Sequence, residues 1–236
     1  QSLVGTDNAY AMALQRDGKF VMAGNCINGL SSFICAARFT TAGALDTSFG
    51  AAGTGWLTIN PGSLSSRATA ITLQPDGKIL LAGGCTYPST SEDFCVVRLN
   101  SNGTLDTTFG TGGKVVSSLS SLDDIAYAIQ LLPDGKILLG GLASNGSDGE
   151  LTIARYLING TLDTTFGISG KTSVQTSPGN SESIYDLALQ PDGRILAAGY
   201  RYNGTDNDIV AIRLLANGLL DTSFGTSGVS IVNPSP

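Results

Sequence analysis

One short phrase returns four times in this chain and limits what it can fold into. Gln74-Pro75-Asp76-Gly77-Lys78 lies between Ile71-Thr72-Leu73 and Ile79-Leu80-Leu81-Ala82-Gly83, a pattern of strand, tight turn and strand. Proline pre-sets φ at the first corner of a type I turn and aspartate accepts the second. Glycine takes the left-handed position that follows. The phrase recurs as Leu132-Pro133-Asp134-Gly135-Lys136, as Gln190-Pro191-Asp192-Gly193-Arg194 and, with arginine for proline, as Gln15-Arg16-Asp17-Gly18-Lys19. The turn glycines stand 59, 58 and 58 residues apart (77−18, 135−77, 193−135). A repeat of that length sets the folding unit.

Each copy carries the same further signals in the same order, clearest in the third. Ala126 to Leu131 interleaves small and large residues as a first strand. Lys136 to Gly141 is nearly continuously apolar, as a strand covered on both faces should be. A polar loop from Ala143 to Gly149 leads to a third strand, Leu151 to Leu157, ended by Asn159-Gly160. After Thr161-Leu162-Asp163-Thr164-Thr165-Phe166-Gly167 comes a short fourth strand, Lys171 to Val174. The turn pair recurs as Asn102-Gly103 and Asn217-Gly218, with Ala42-Gly43 in the first copy, and is a strong short-range hairpin signal. No helical stripe of useful length is present. The chain is expected to be all β.

Four-stranded units repeated without helices predict a four-bladed β-propeller. It would be a single domain, 1–236, with repeats at approximately 1–60, 61–119, 120–177 and 178–236. A solenoid or open stack would instead leave two unpaired end faces. The sequence starts on a first-strand signal, Ala9-Tyr10-Ala11-Met12, and ends on a fourth-strand signal, Val229-Ser230-Ile231-Val232. The expectation is that this last strand completes the first blade and closes the ring.

The wording of the repeat resembles the delta-60 repeat family of bacterial surface and secreted proteins. The phrases that carry it run from Leu73 to Gly83, through Val96-Val97-Arg98-Leu99, and from Asn102 to Gly110. The resemblance covers almost the whole chain. Copy one departs most, with Arg16 for proline, Asn25 for the second glycine of the Gly-Gly pair and Ala42 for asparagine. It implies a propeller-like fold and a place outside the cytoplasm, and it implies no activity or cofactor.

Four cysteines form the sharpest local pattern. Cys26 and Cys85 both lie eight positions after a turn glycine, and Cys35 and Cys95 both lie three before a recurring arginine. The other two copies lose both together, holding Ala143 with Thr152 and Arg201 with Val210. Of three connectivities, joint presence and absence select Cys26–Cys35 and Cys85–Cys95, each stapling second strand to third. A four-cysteine metal site would want a C-x-x-C knuckle, which is missing. Disulfides imply an oxidising compartment.

Arg38, Arg98, Arg155 and Arg213 recur in apolar third strands, each eight residues before Asp46, Asp106, Asp163 and Asp221. One reading is a ring of anion-binding arginines around a channel. The other, preferred, is an ion-pair strut repeated in every blade. The turn acids Asp17, Asp76, Asp134 and Asp192 lack the close carboxylate spacing of a calcium loop, and the cluster Asp206-Asn207-Asp208 occurs once.

Composition narrows function further. A net charge of −6 and the absence of lysine or arginine runs exclude a nucleic-acid or anionic-membrane partner. No apolar stretch reaches the length of a membrane span. Thirty-one glycines, 14% charged residues and a start at Gln1 without methionine suit a secreted, processed protein. Histidine is absent, so Ser-His and Cys-His nucleophile pairs and histidine-ligated zinc are excluded. A carboxylate pair remains conceivable: Asp186 stands where other copies hold Ala11, Ala70 and Ala128, and Glu182 is four residues away.

Tyr10, Tyr127 and Tyr185 recur in first strands, and Trp56 falls on a fourth. Asn102, Asn145, Asn159 and Asn203 begin N-G-[ST] sequons, options for glycosylation. The expected function is a secreted, non-enzymatic structural or interaction protein without cofactor, a self-assembling subunit of a fibre or surface layer. The alternative is a glycan-binding propeller using the unequal loops Ile27–Phe33, Thr86–Phe94, Ala143–Gly149 and Tyr202–Asn207. Its partners would then be copies of itself, or a surface glycan or protein. Asn233-Pro234-Ser235-Pro236 is read as a tail able to reach a neighbour.

Overall fold

The computed structural model describes residues 6–50, 53–61, 64–87, 91–146 and 148–234. Ser235 and Pro236 of the expected tail, and residues 88–90 and 147 of two unequal loops, lie outside the described residues. Among the described residues the protein is all β. The first repeat contributes β1 (Asp7–Leu14), β2 (Phe20–Asn28), β3 (Ser31–Phe39) and β4 (Trp56–Ile59). The second contributes β5 (Ser65–Leu73), β6 (Ile79–Thr86), β7 (Glu92–Leu99) and β8 (Lys114–Ser117). The third holds β9 (Asp124–Leu131), β10 (Ile137–Ser144), β11 (Gly149–Tyr156) and β12 (Lys171–Val174). The fourth holds β13 (Glu182–Leu189), β14 (Ile195–Tyr202), β15 (Asn207–Leu214) and β16 (Val229–Val232).

Every repeat is one antiparallel meander in which each strand pairs with the next. Among the described residues, a single parallel bridge, Ser32 to Ser65, joins the sheets of repeats one and two. The first hairpin of each repeat turns at the Asp-Gly phrase. Gly77 N donates to Gln74 O at 2.9 Å, Gln74 N to Lys78 O at 2.8 Å, and Gly77 sits at φ 86°.

The C-terminal strand does not complete the first blade. β16 pairs with β15 of its own repeat, Val232 opposite Ile209 and Val229 opposite Ile212, as β4 pairs with β3. The cause is local. Ser227 and Gly228 adopt φ 53° and 96°, Gly228 N donates to Phe224 O at 2.8 Å, and Arg213 N donates to Gly228 O at 3.0 Å. This tight reversal sets the chain down directly beside β15, so the last strand is the outer strand of its own sheet.

The first strand of each repeat contains a bulge. The register shifts between Ala9 and Ala11, Ala68 and Ala70, Ala126 and Ala128, and Ile184 and Asp186. The inserted residues are therefore Tyr10, Thr69, Tyr127 and Tyr185. Opposite them stand Gly24, Gly83, Gly141 and Gly199, where an added Cβ would lie 1.8, 2.0, 1.9 and 1.9 Å from a first-strand carbonyl oxygen. Backbone approaches backbone there, and only glycine fits.

The chain divides into two compact units, Gln1–Ser117 and Ser118–Pro236, each holding two repeats. In the first unit, Val21, Ala23, Ile34 and Ala36 pack on Ile79, Leu81, Val97 and Leu99 of the next repeat. In the second, Leu138, Leu151 and Ile153 pack on Ile195, Ala197, Ile212 and Leu214. Each fully buried aliphatic side chain contributes roughly 1.5–3 kcal/mol to these joints.

Candidate functional site

The recurring charges converge at the end of each third strand. Arg38, Arg98, Arg155 and Arg213 each donate from Nε to Oδ2 of Asp46, Asp106, Asp163 and Asp221 at 2.8 Å. The eight-residue loop closes because the aspartate amide also donates back to the arginine carbonyl, at 2.9 Å for Asp46 and 3.0 Å for Asp106. Each guanidinium lies over a phenylalanine ring, 4.8 Å from Phe49, 4.5 Å from Phe109, 4.6 Å from Phe166 and 4.8 Å from Phe224. The other carboxylate oxygen caps the following turn, accepting from Ser48, Thr108, Thr165 or Ser223. These are bonds within the fold.

A third member comes from the hairpin. The basic residue after the turn glycine reaches the same carboxylate. Lys19 Nζ lies 2.8 Å and Arg194 Nε 3.0 Å from their aspartates, while Lys136 stands at 3.6 Å and Lys78 at 3.9 Å. The sequence reading missed this partner, although Lys19, Lys78, Lys136 and Arg194 occupy the same position in every copy. The carboxyls accordingly sit below the ordinary carboxylate value. For Asp46 the Lys19 ammonium does most, for Asp106 the Thr108 hydroxyl, and for Asp221 the Ser223 hydroxyl. Burial pushes Asp163 up, and Thr165 and Arg155 together outweigh it.

The turn acids are engaged locally. Asp17, Asp76, Asp134 and Asp192 each accept from the backbone amide two residues on at 3.1 Å. In the cluster at 206–208, Asn203 Nδ2 donates to Asp206 at 2.6 Å and to Asp208 at 3.0 Å, and Arg201 Nε donates to Asp208 at 2.9 Å. Among the described residues, no three cysteine or acidic groups gather to hold a metal.

Asp186 and Glu182 are not brought together. The Tyr185 bulge adds a residue between them, so four positions along this strand do not return to one face. Glu182 is fully buried and accepts from Thr176 N at 2.8 Å and from Ser177 N, whereas Asp186 is exposed. Burial pushes the Glu182 carboxyl up despite those donors. Asp124 occupies the matching place in repeat three and accepts from Leu119 N at 2.6 Å and Ser120 N at 2.8 Å. Both acids anchor the chain entering their repeats.

The disulfides join Cys26 to Cys35 and Cys85 to Cys95, with Cα atoms 5.7 and 5.6 Å apart. Each spans second and third strands diagonally, since Cys35 faces Gly24 and Cys95 faces Gly83. The sequon side chains Asn102, Asn145 and Asn159 are exposed, while Asn203 is held by its acids. No helix of the described residues is long and apolar enough to cross a membrane, which says nothing of strands.

Two clefts remain. One, of about 490 Å³, lies on repeat one between Met22, Ala37, Phe39, Leu45 and Trp56. The other, of about 620 Å³, lies on repeat four, lined by Tyr185, Tyr200, Tyr202, Asn180 and Asn207. Tyr185 and Tyr200 stack at 5.6 Å there, and burial pushes the Tyr200 phenol up.

The fold has a solved counterpart. An endo-arabinase from Bacteroides thetaiotaomicron is similar with a TM-score of 0.50 and 11% identity, over 91% of this chain and 77% of that one. A glucose dehydrogenase is similar with a TM-score of 0.49 and 11% identity, over 93% of this chain; this chain spans 63% of the dehydrogenase. Identity that low speaks for fold alone. No curated protein matches the sequence. Residues 74–109, 132–166 and 190–224 match the family described as Domain of unknown function (DUF5122) beta-propeller, so these parts of the chain are similar to β-propeller repeats.

Proposed function

We propose that the protein is a secreted, non-enzymatic structural protein that associates with copies of itself, its four repeats serving as four propeller blades. The observation that carries this reading is the use made of the residues common to all copies. Their arginines, aspartates and turn acids are bonded to one another and to backbone, so what the repeat holds in common builds the sheets themselves. Two disulfides suit an oxidising compartment outside the cytosol. The two unequal acids, Glu182 and Asp186, lie on different faces and do not flank a common space, as glycoside hydrolysis would require.

A second reading has one observation in its favour. The stacked Tyr185 and Tyr200, with Asn180 and Asn207 beside them, offer aromatic faces and amides of the kind that hold a sugar ring. Light scattering after size exclusion, over a wide concentration range, separates the two. Self-association predicts a mass that rises above 24.2 kDa with concentration. A constant 24.2 kDa species that binds a glycan array through Tyr200 contradicts it.

A further inference from the structure

Inside each unit, consecutive repeats meet through the same positions. The leading face of the joint is Val21, Ile34 and Ile59 in repeat one, and Leu138, Leu151 and Val174 in repeat three, all buried. The matching residues of repeat four are Leu196, Ile209 and Val232, and there Ile209 is 56% and Val232 55% exposed. The receiving face includes Ile71 and Leu73 in repeat two, and Leu187 and Leu189 in repeat four, packed against those cores. In repeat one the same positions are Met12 and Leu14, 63% and 70% exposed. Within its own unit, repeat four thus leaves its leading face uncovered, and repeat one within its own leaves its receiving face uncovered.

The polar half of the joint has the same two loose ends. Arg38 Nη1 donates to Ser101 O at 2.6 Å and Gly50 N to Asn102 O at 2.9 Å. In the second unit Arg155 Nη1 donates to Ala216 O at 2.7 Å and Gly167 N to Asn217 O at 2.8 Å. Phe49 and Phe166 pack so closely over Gly103 and Gly218 that a Cβ there would meet the ring at 2.8 Å. In repeat four, among the described residues, Arg213 Nη1 and Gly225 N have no such carbonyl. In repeat one, Gly43, the counterpart of Gly103 and Gly218, has nothing within 4 Å of where a Cβ would stand.

We propose that these two faces form a head-to-tail interface between copies of this chain. The inference rests on the self-association reading and names its surface. Repeat four of one copy seats on repeat one of the next, Phe224 over Gly43, with Arg213 Nη1 donating to Thr41 O and Gly225 N to Ala42 O. The occupant is specified by the two joints the chain already makes, because each open face is the counterpart of a surface buried in them. A second copy is the partner, since both halves of one joint are open in a single chain. Apolar area left uncovered supplies the driving force. The contact is heterologous, so it yields closed rings if its rotation closes and fibres if it does not.

The test uses Ile209→Asp, which blocks the leading face, and Met12→Asp, which blocks the receiving one; both side chains are exposed. Sedimentation velocity of the oxidised wild type should show association that grows with concentration. Each variant should weaken it at least about 100-fold. An equimolar mixture of the two should form a dimer and nothing larger, because only one joint is intact. Association that both variants leave unchanged overturns the surface while self-association stands. A wild type of 24.2 kDa at every concentration overturns both. If it is also monomeric but melts lower in either variant, the joint closes within one chain.

Discussion

Arg98 and Asp106 show how much a single pair holds. Both are nearly buried, and Lys78, itself partly exposed, places its Nζ 3.9 Å from the same carboxylate oxygen. Breaking a buried pair typically costs about 3–5 kcal/mol, because one charge is left uncompensated. Lys78 keeps part of the compensation, so Arg98→Ala should cost about 2–3 kcal/mol in denaturant unfolding. A loss under about 0.5 kcal/mol would mean that the pair is a surface bridge in effect. Acid sensitivity follows from the same carboxyls. Asp106 and Asp163 lie below 3.8 when folded, so their stabilisation is present above that value and is lost as pH falls through their lower folded values. Melting temperature should stay level from pH 7 to about 5 and fall below about 4, followed by circular dichroism. Glu182 has the opposite sign: its raised carboxyl favours the fold at low pH and that contribution fades as pH rises. The arginine and aspartate of each pair could be read from their constant eight-residue spacing. Their third member, Lys19, Lys78, Lys136 or Arg194, could not be seen as a partner without the hairpin folded over the third strand.

At the scale of the strand, local chemistry was the readable part. The Asp-Gly hairpins are set by four residues of turn preference, and the cysteine pairing by which copies hold both members. The bulge was missed, although alanines flank the inserted residue in three copies, because an extended strand was assumed to alternate throughout. A strand that alternated throughout would put Glu182 and Asp186, four residues apart, on one face. The last strand was given the wrong partner for a different reason. Four residues carry too little pattern to choose a partner, and the Gly225–Gly228 reversal decides it by geometry. Gly141→Ala tests the bulge, since its Cβ would stand 1.9 Å from Ile125 O. The variant should lose at least about 3 kcal/mol, if it folds, whereas Gly112→Ala, with nothing within 4 Å of its Cβ and strain only from its φ of 59°, should lose about 1–2 kcal/mol. Equal effects would mean that the close approach is not a constraint.

At the scale of the molecule, both bridges belong to the first unit, and they close loops of 9 and 10 residues. Loop entropy assigns each roughly 2–3 kcal/mol. Reduction should therefore speed hydrogen exchange in β2, β3, β6 and β7 at least about tenfold and leave β11 and β15 unchanged. Uniform acceleration would show that the two units do not open separately. The sequence pattern predicted four like repeats, but repetition alone did not reveal that the first and last would keep uncovered faces. Those faces become visible only when one position is compared across copies, Ile34 buried and Ile209 open, Leu73 packed and Leu14 bare. Electron microscopy of the oxidised wild type is the most direct measurement of what they are for. Ordered assemblies in which repeat four abuts repeat one of the next copy are the expected result. Fields of separate 24.2 kDa particles at every concentration would contradict it.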